Sequence, residues 1–174
     1  MSIKPNSQLD IVVKALEKVN NETNKMILQM CNGMNESEVI QSFNQQALDL
    51  FSKLLTITKR TGKESEYKVG GYKALFDNAI KINARLPLDK FTLVILEFAP
   101  DIYQENEDCF LNMSIPDANV KLGNEFSIIR SEMFKSLWKD LSKSDKAAVG
   151  EIIILMTTYA HIYFYKTLLL NNKN

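Results

Sequence analysis

The sequence predicts an all-α protein, a single-domain bundle of about six helices around a buried C-terminal helix. Along most of the 174 residues, apolar side chains recur three and four positions apart, which is the spacing of one helix face. The last long stretch, 147–170, is apolar on nearly every side, so other parts of the chain must surround it. One segment, 91–96, has the composition of a buried strand, but no second convincing strand exists to pair with it.

The first helical face runs from Ser7 to Cys31. Asn20 and Asn21 are weak helix formers and mark the place where this stretch would divide in two. Gly33 follows as a stop signal. We therefore expect either one long helix or two short ones before residue 33.

A second strong helix is predicted over 40–58, with Asn35 and Glu38 spaced as a helix start. The segment 61–71 is polar and ends in two glycines, so it is predicted to be a loop with a terminal turn. A third helix follows over 72–83.

The segment 88–99 is predicted to be a helix that Pro87 opens and Pro100 ends. A buried strand over 91–96 is the alternative. The acidic stretch that follows, about 100–124, is predicted to be an ordered loop with a helical turn, pinned by Phe110.

Two helices are predicted at the C-terminal end. The first covers 126–141, and Ser142 with Asp145 marks the start of the second. The apolar stretch 152–170 is near the lower length limit of a membrane span. As a span it would place His161 and Lys166 in lipid, at a cost of roughly 2.5 to 3.5 kcal/mol for an isolated charge, so a buried core helix is preferred to a membrane anchor.

The charges balance overall but separate locally. Lys and Arg number 21 and so do Asp and Glu, which argues against bulk electrostatic binding to nucleic acid or anionic lipid. The stretch 53–73 is nevertheless basic, and the stretch 97–117 is acidic without Lys or Arg. Two solvated loops are the simpler interpretation. The alternative is that one stretch contacts the other, within the chain or between copies.

The remaining composition points to a reducing compartment. Cys31 and Cys109 lie far apart beside helical or apolar runs, which favours free thiols over a disulfide. The N-terminal residues contain no apolar signal-peptide region, and Ser2 stands where myristoylation requires glycine. We expect a protein that is not secreted.

The sequence contains no recognisable motif for catalysis or for metal binding. The single histidine, His161, lies in the most apolar helix and is predicted to be a hydrogen-bonded core residue. Gly62-Lys63 lacks the first glycine and the Ser/Thr of a P-loop, and one histidine with two cysteines cannot make a four-ligand zinc site. The prediction is a non-enzymatic protein with no metal and no cofactor.

Two sets of residues are candidates for contacts with partners. Trp138 lies on an amphipathic stripe, where core packing is the default and an interface anchor is the alternative. The first set consists of Trp138 and residues of the acidic loop, which are the apolar Phe110 and the carboxylates Glu105, Glu107 and Asp108. The second set, here called the basic patch, is interleaved with tyrosines that could stack on bases: Lys59, Arg60, Lys63, Lys68 and Lys73.

The second half of the chain, from Leu86 to Leu170, resembles a known group of proteins. Three features occur in order: Phe98-Ala99-Pro100-Asp101-Ile102-Tyr103, then Glu107-Asp108-Cys109-Phe110-Leu111-Asn112, then Phe134-Lys135-Ser136-Leu137-Trp138-Lys139-Asp140-Leu141-Ser142 before a long apolar helix. This arrangement is similar to a loosely defined, poorly characterised family of small helical proteins of nucleocytoplasmic large DNA viruses. The resemblance implies a viral protein of the host cytoplasm or the particle, and supplies no catalytic residues. The chain departs from the family at Gly150, where a bulkier residue is expected, so we expect the helix to bend or pack closely there.

Three functions are compatible with these observations. The first is a structural or interaction protein of a virus particle or its assembly, which contacts other proteins or further copies of itself. The second is a helical regulator that captures a partner's amphipathic helix in a groove, as viral apoptosis inhibitors do, although their Asn-Trp-Gly-Arg signature is missing. The third is an accessory factor that binds nucleic acid through the basic patch.

Overall fold

The computed structural model describes residues 7–106, 121–122, 126–127 and 131–169. Within these ranges the chain forms nine α-helices, a π-helical stretch and one pair of two-residue strands, which confirms the predicted all-α class. The helices are α1 (Ser7–Glu17), α2 (Asn21–Gly33), α3 (Glu36–Arg60), α4 (Glu64–Tyr67), α5 (Val69–Ile82), α6 (Leu86–Leu96), α7 (Ala99–Tyr103), α8 (Ser131–Asp140) and α9 (Lys143–Tyr163).

The N-terminal stretch divides in two, at the place that the asparagines marked. Asn20 is the N-cap of α2, and its side chain accepts a hydrogen bond from the Thr23 amide at 2.8 Å. Asn35 and Glu38 form a reciprocal capping box at the start of α3. Both caps satisfy amides that the first helical turn leaves without partners.

The predicted loop over 61–71 was wrong in part. It contains α4, and the two glycines lie in the first turn of α5 rather than in a turn between helices. Lys68, with φ of 55°, makes the left-handed connection instead. The Glu64 carboxylate accepts hydrogen bonds from the amides of Val69 and Gly70, at 3.0 and 2.9 Å, and so caps α5 from a position that periodicity does not reveal.

The helix prediction for 88–99 is confirmed by α6, and Pro87 lies in its first turn. Pro100 does not end this helix. It lies in the first turn of α7, where its missing amide costs no hydrogen bond. Of the predicted acidic loop, residues 107–120 lie outside the described part of the chain.

The segment 126–141 is helical only from Ser131. Phe126–Ser127 instead forms a strand, β2, that pairs antiparallel with β1 (Lys121–Leu122), with Leu122 opposite Phe126. Gly123 and Asn124 stand between the two strands in the sequence, and these residue types favour turns over helix interiors.

The predicted buried C-terminal helix is confirmed by α9. It packs against α3, α6, α2 and α7 and contributes to one continuous apolar core. Ser142 is its N-cap and accepts a hydrogen bond from the Asp145 amide at 3.1 Å. Beyond Tyr163 the chain continues as a π-helical stretch, Phe164–Leu169.

One helical stretch among the described residues, Lys143–Thr167, is long and apolar enough to cross a bilayer. More than half of its most apolar window is buried inside the fold. A core helix surrounded by other helices needs the same composition, because it has apolar neighbours on every side.

Candidate functional site

A surface cleft of about 130 Å³ opens where α7, α8 and α9 meet. Its walls combine apolar side chains with charged ones at the rim. The lining residues are Ile102, Glu105, Trp138, Lys146, Ala147, Gly150, Glu151 and Ile154.

The first wall is the end of α7, which closes as a Schellman motif. The amides of Glu105 and Asn106 donate to the carbonyls of Ile102 and Asp101, each at 3.0 Å. Glu105 therefore takes the left-handed position of the motif, with φ of 57°, where glycine is the usual residue. A side chain at such a φ costs of order 1 kcal/mol, and here it places a carboxylate at the cleft rim.

Trp138 forms the buried part of the second wall. It follows Leu137 on the inner face of α8, and its side chain is only 2% exposed. Lys146, one turn into α9, places its ammonium 5.8 Å from the centre of the Trp138 ring, within the range of a cation–π contact. The cleft therefore already holds a cation over its aromatic ring.

The third wall is the outer side of α9. An added Cβ at Gly150 would meet no atom within 4 Å, so the glycine leaves open space rather than allowing a close approach. Of the two alternatives predicted for this position, close packing was wrong and the bend stays a prediction. Glu151 is exposed beside it and makes no ion pair with another described residue.

Two of the predicted contact residues, Trp138 and Glu105, thus lie at one cleft although they are far apart in sequence. The burial of Trp138 confirms that it packs in the core, and its role as an interface anchor stays a prediction. Phe110, Glu107 and Asp108 lie outside the described residues.

The basic patch is partly neutralised by contacts with the α8–α9 turn. Arg60 pairs with Asp145, and Lys63 lies 2.9 Å from the Asp140 carboxylate. The Tyr67 hydroxyl donates to the same carboxylate at 2.6 Å. These hydrogen bonds, from Tyr67 first and Lys63 second, lower the pKa of Asp140, and burial together with Asp140 raises the pKa of Tyr67 to about 12.

Lys59 and Lys68 are exposed, Lys73 is half-buried, and none of the three forms an ion pair with a described residue. The acidic partners of the basic stretch are therefore Asp140 and Asp145. A contact with the acidic stretch 97–117 was the alternative to two solvated loops, and it stays a prediction because residues 107–117 lie outside the described part of the chain.

A buried polar cluster surrounds His161. Its Nδ1 shares a hydrogen bond of 3.0 Å with the Tyr103 hydroxyl, and its ring centre lies 4.9 Å from that of Tyr165. Burial lowers the pKa of His161 to about 4, because the interior disfavours the charged ring. Nε2 is buried without a hydrogen-bond partner among the described residues, so the predicted hydrogen-bonded core histidine is satisfied on one side of its ring.

A second polar cluster, which sequence analysis missed, joins the starts of α3 and α6 to the end of α9. Arg85 pairs with Glu36 and lies 3.1 Å from the Tyr163 hydroxyl, which in turn donates to Asp89. The hydrogen bond from Arg85 lowers the pKa of Glu36. These residues come from three separate segments of the chain, so no local sequence pattern predicts the cluster.

No three His, Cys, Asp or Glu side chains converge as metal ligands in the part of the chain that the structure describes. The cleft instead pairs an aromatic ring with charges of both signs at its rim.

Comparison with known proteins places the chain in a viral family. No family model and no solved structure matches it. An uncharacterized protein of Acanthamoeba polyphaga mimivirus is 54% identical over 165 residues, which cover 95% of this chain and 92% of the mimivirus protein. The chain therefore belongs to the same family as this giant DNA virus protein.

Proposed function

We propose that the protein is a non-enzymatic component of a giant virus particle or of its assembly, and that it contacts other proteins through the cleft between α7, α8 and α9. The cleft is the observation that carries this proposal. The cleft combines apolar side chains with charged groups at its rim, which is the arrangement of an apolar centre and a polar rim found at protein interfaces. The left-handed Glu105 adds support, since backbone strain concentrates where function requires a particular side chain.

The size of the cleft favours this function over capture of a partner helix. About 130 Å³ holds a side chain or two, whereas pockets for larger ligands measure roughly 300 to 1,000 Å³. The ion pairs of Arg60 and Lys63 likewise leave less of the basic patch available for phosphate groups.

Quantitative mass spectrometry of purified particles tests the viral setting. We expect the protein at the copy number of a structural component, and its absence from particles and from assembly intermediates would refute the proposal.

A pair of matched variants tests the cleft. Gly150→Gln fills the open space at the cleft, while Gly71→Gln places the same side chain at another helical glycine with no atom within 4 Å of the added Cβ. Expressed in infected cells, the Gly150 variant should enter particles at least about tenfold less than the Gly71 variant, the change expected for roughly 1.4 kcal/mol of lost contact energy. Equal incorporation would show that the cleft is not the contact site.

A further inference from the structure

We propose that the cleft partner is a second copy of this chain, bound in a two-fold symmetric dimer through oppositely charged faces on either side of the α8–α9 turn. This inference rests on the proposed function insofar as it uses the same cleft, and it names the partner. It starts from two sets of exposed charges that lie next to each other.

The first set, here called the acidic face, consists of Asp101, Glu105 and Glu151. Glu105 and Glu151 line the cleft, and Asp101 is exposed one turn before Glu105. Each carboxylate lacks an ion pair with any residue that the structure describes.

The second set, here called the basic face, consists of Lys59, Lys139 and Lys143. All three are exposed and form no ion pair with a described residue. Lys59 precedes Arg60, which pairs with Asp145, and Lys139 precedes Asp140, which pairs with Lys63. These ion pairs hold the end of α3 against the α8–α9 turn, and each of the three lysines lies within two residues of a member of these pairs.

The two faces adjoin along α9. Lys143 lies at its start and Glu151 eight residues later, which is about 12 Å of helix at 1.5 Å per residue. This separation exceeds the Debye length of about 8 Å at physiological salt, so dissolved ions largely screen the two faces from one another. Each presents its own sign of charge to an approaching molecule.

Adjacent faces of opposite sign are self-complementary about a two-fold axis. When the axis passes between them, the basic face of each copy meets the acidic face of the other, so the attraction counts twice. The zero net charge of the chain removes the overall repulsion that would oppose such pairing.

Lys146 already occupies the inner part of the cleft, with its ammonium 5.8 Å from the centre of the Trp138 ring. The partner's lysines would therefore meet the acidic face at the exposed carboxylates of Glu105 and Glu151, not at the buried ring.

Charge reversal tests the dimer in solution. One variant carries Asp101→Lys, Glu105→Lys and Glu151→Lys, so both of its faces are basic. The other carries Lys59→Glu, Lys139→Glu and Lys143→Glu, so both are acidic. A control with the same change in net charge as the first variant reverses exposed carboxylates elsewhere: Glu17→Lys, Glu22→Lys and Asp49→Lys.

Sedimentation equilibrium at up to about 100 μM protein would detect a contact with a micromolar Kd. At about 10 mM salt we expect the wild-type chain to dimerise, and at about 1 M salt to dissociate, since screening shortens the Debye length from about 30 to about 3 Å. The control has the same net charge as the first variant, so it measures how much overall repulsion alone weakens association, and the first variant should associate at least about tenfold more weakly than this control. An equimolar mixture of the two reversed variants should restore the dimer, and it should associate more strongly than a mixture of the control with the second variant, which has the same opposite net charges.

The mixture also controls for folding, because a misfolded variant cannot be rescued by its counterpart. A wild-type chain that stays monomeric at low salt would overturn the inference, and so would a mixture that fails to associate. A protein found in particles but monomeric in solution refutes the dimer alone. A dimer absent from particles refutes the proposed viral role alone.

Discussion

Acidification should destabilise this protein through His161. The ring is fully buried, and burial lowers its pKa from 6.5 to about 4. An unfolded chain takes up a proton on this histidine as pH falls below 6.5, whereas the folded protein does so only near pH 4. Between these values the unfolded state binds more protons, so the free energy of unfolding falls with falling pH.

The size of the effect follows from the shift. A difference of one pKa unit corresponds to about 1.4 kcal/mol, so lowering the pH from 7 to 5 should cost about 2 kcal/mol of stability through His161. For a chain of 174 residues this corresponds to a fall in Tm of about 4 to 8 °C. The loss should level off near pH 4, where the folded protein also becomes protonated.

The assay compares urea unfolding of the wild-type chain with that of His161→Asn at pH 7 and pH 5. Asparagine keeps a polar atom near the Tyr103 hydroxyl but does not titrate, so the variant should lose the histidine contribution to the pH dependence whatever its absolute stability. Carboxylates with lowered pKa, such as Glu36 and Asp140, contribute chiefly below about pH 4.5 and equally in both proteins. Equal pH dependence of the two proteins would refute the argument.

Three further substitutions should change the free energy of unfolding, measured by urea denaturation at pH 7. Gly150→Ala should raise it by about 0.5 to 1 kcal/mol, because alanine favours a helix interior and open space surrounds the new Cβ. Asn35→Ala should lower it by about 1 kcal/mol through loss of the capping box on α3. Tyr67→Phe should lower it by about 1 kcal/mol, since it removes the hydrogen bond to Asp140.

Each of these three changes has an outcome that would contradict it. Destabilisation by Gly150→Ala would mean that the helix is not open at this point; Gly70→Ala, where the Glu64 carboxylate lies 3.1 Å from the added Cβ, is the crowded counterpart. An unchanged midpoint for Asn35→Ala would mean that the cap is replaced by water. An unchanged midpoint for Tyr67→Phe would mean that the α4 contact to the α8–α9 turn contributes nothing net.

Much of the fold could be predicted because its signals are local. The spacing of apolar residues located the long helices, and the caps at Asn35 and Ser142 located two of their starts. The errors arose where a partner distant in space or sequence decides the local structure. The Glu64 carboxylate caps α5, so the glycine pair that was predicted to lie in a loop lies in the first helical turn. Phe126 pairs with Leu122 in a strand, so Phe126 is not part of the helix that follows.

The candidate site was predictable only in pieces. Trp138 and Glu105 were each identified from their surroundings in the sequence, but their meeting depends on how α7 and α8 pack against α9. The partners of the basic patch were not predictable either, because Asp140 and Asp145 lie in a helical context that gives no sign of the distant Arg60 and Lys63. The sequence shows which stretches are charged, but the tertiary packing determines which opposite charges lie within reach of them.

The position of α9 explains why the structural and the proposed functional features coincide at one corner. Its inner side must be apolar because α2, α3 and α6 surround it, so charged residues are confined to its first turns and its outer side. Asp145 is used there to hold α3, which leaves Lys143, Lys146 and Glu151 to face outward. A helix that is central for most of its length therefore presents its polar groups in one short exposed stretch, and this is where a contact with another molecule can form without disturbing the core.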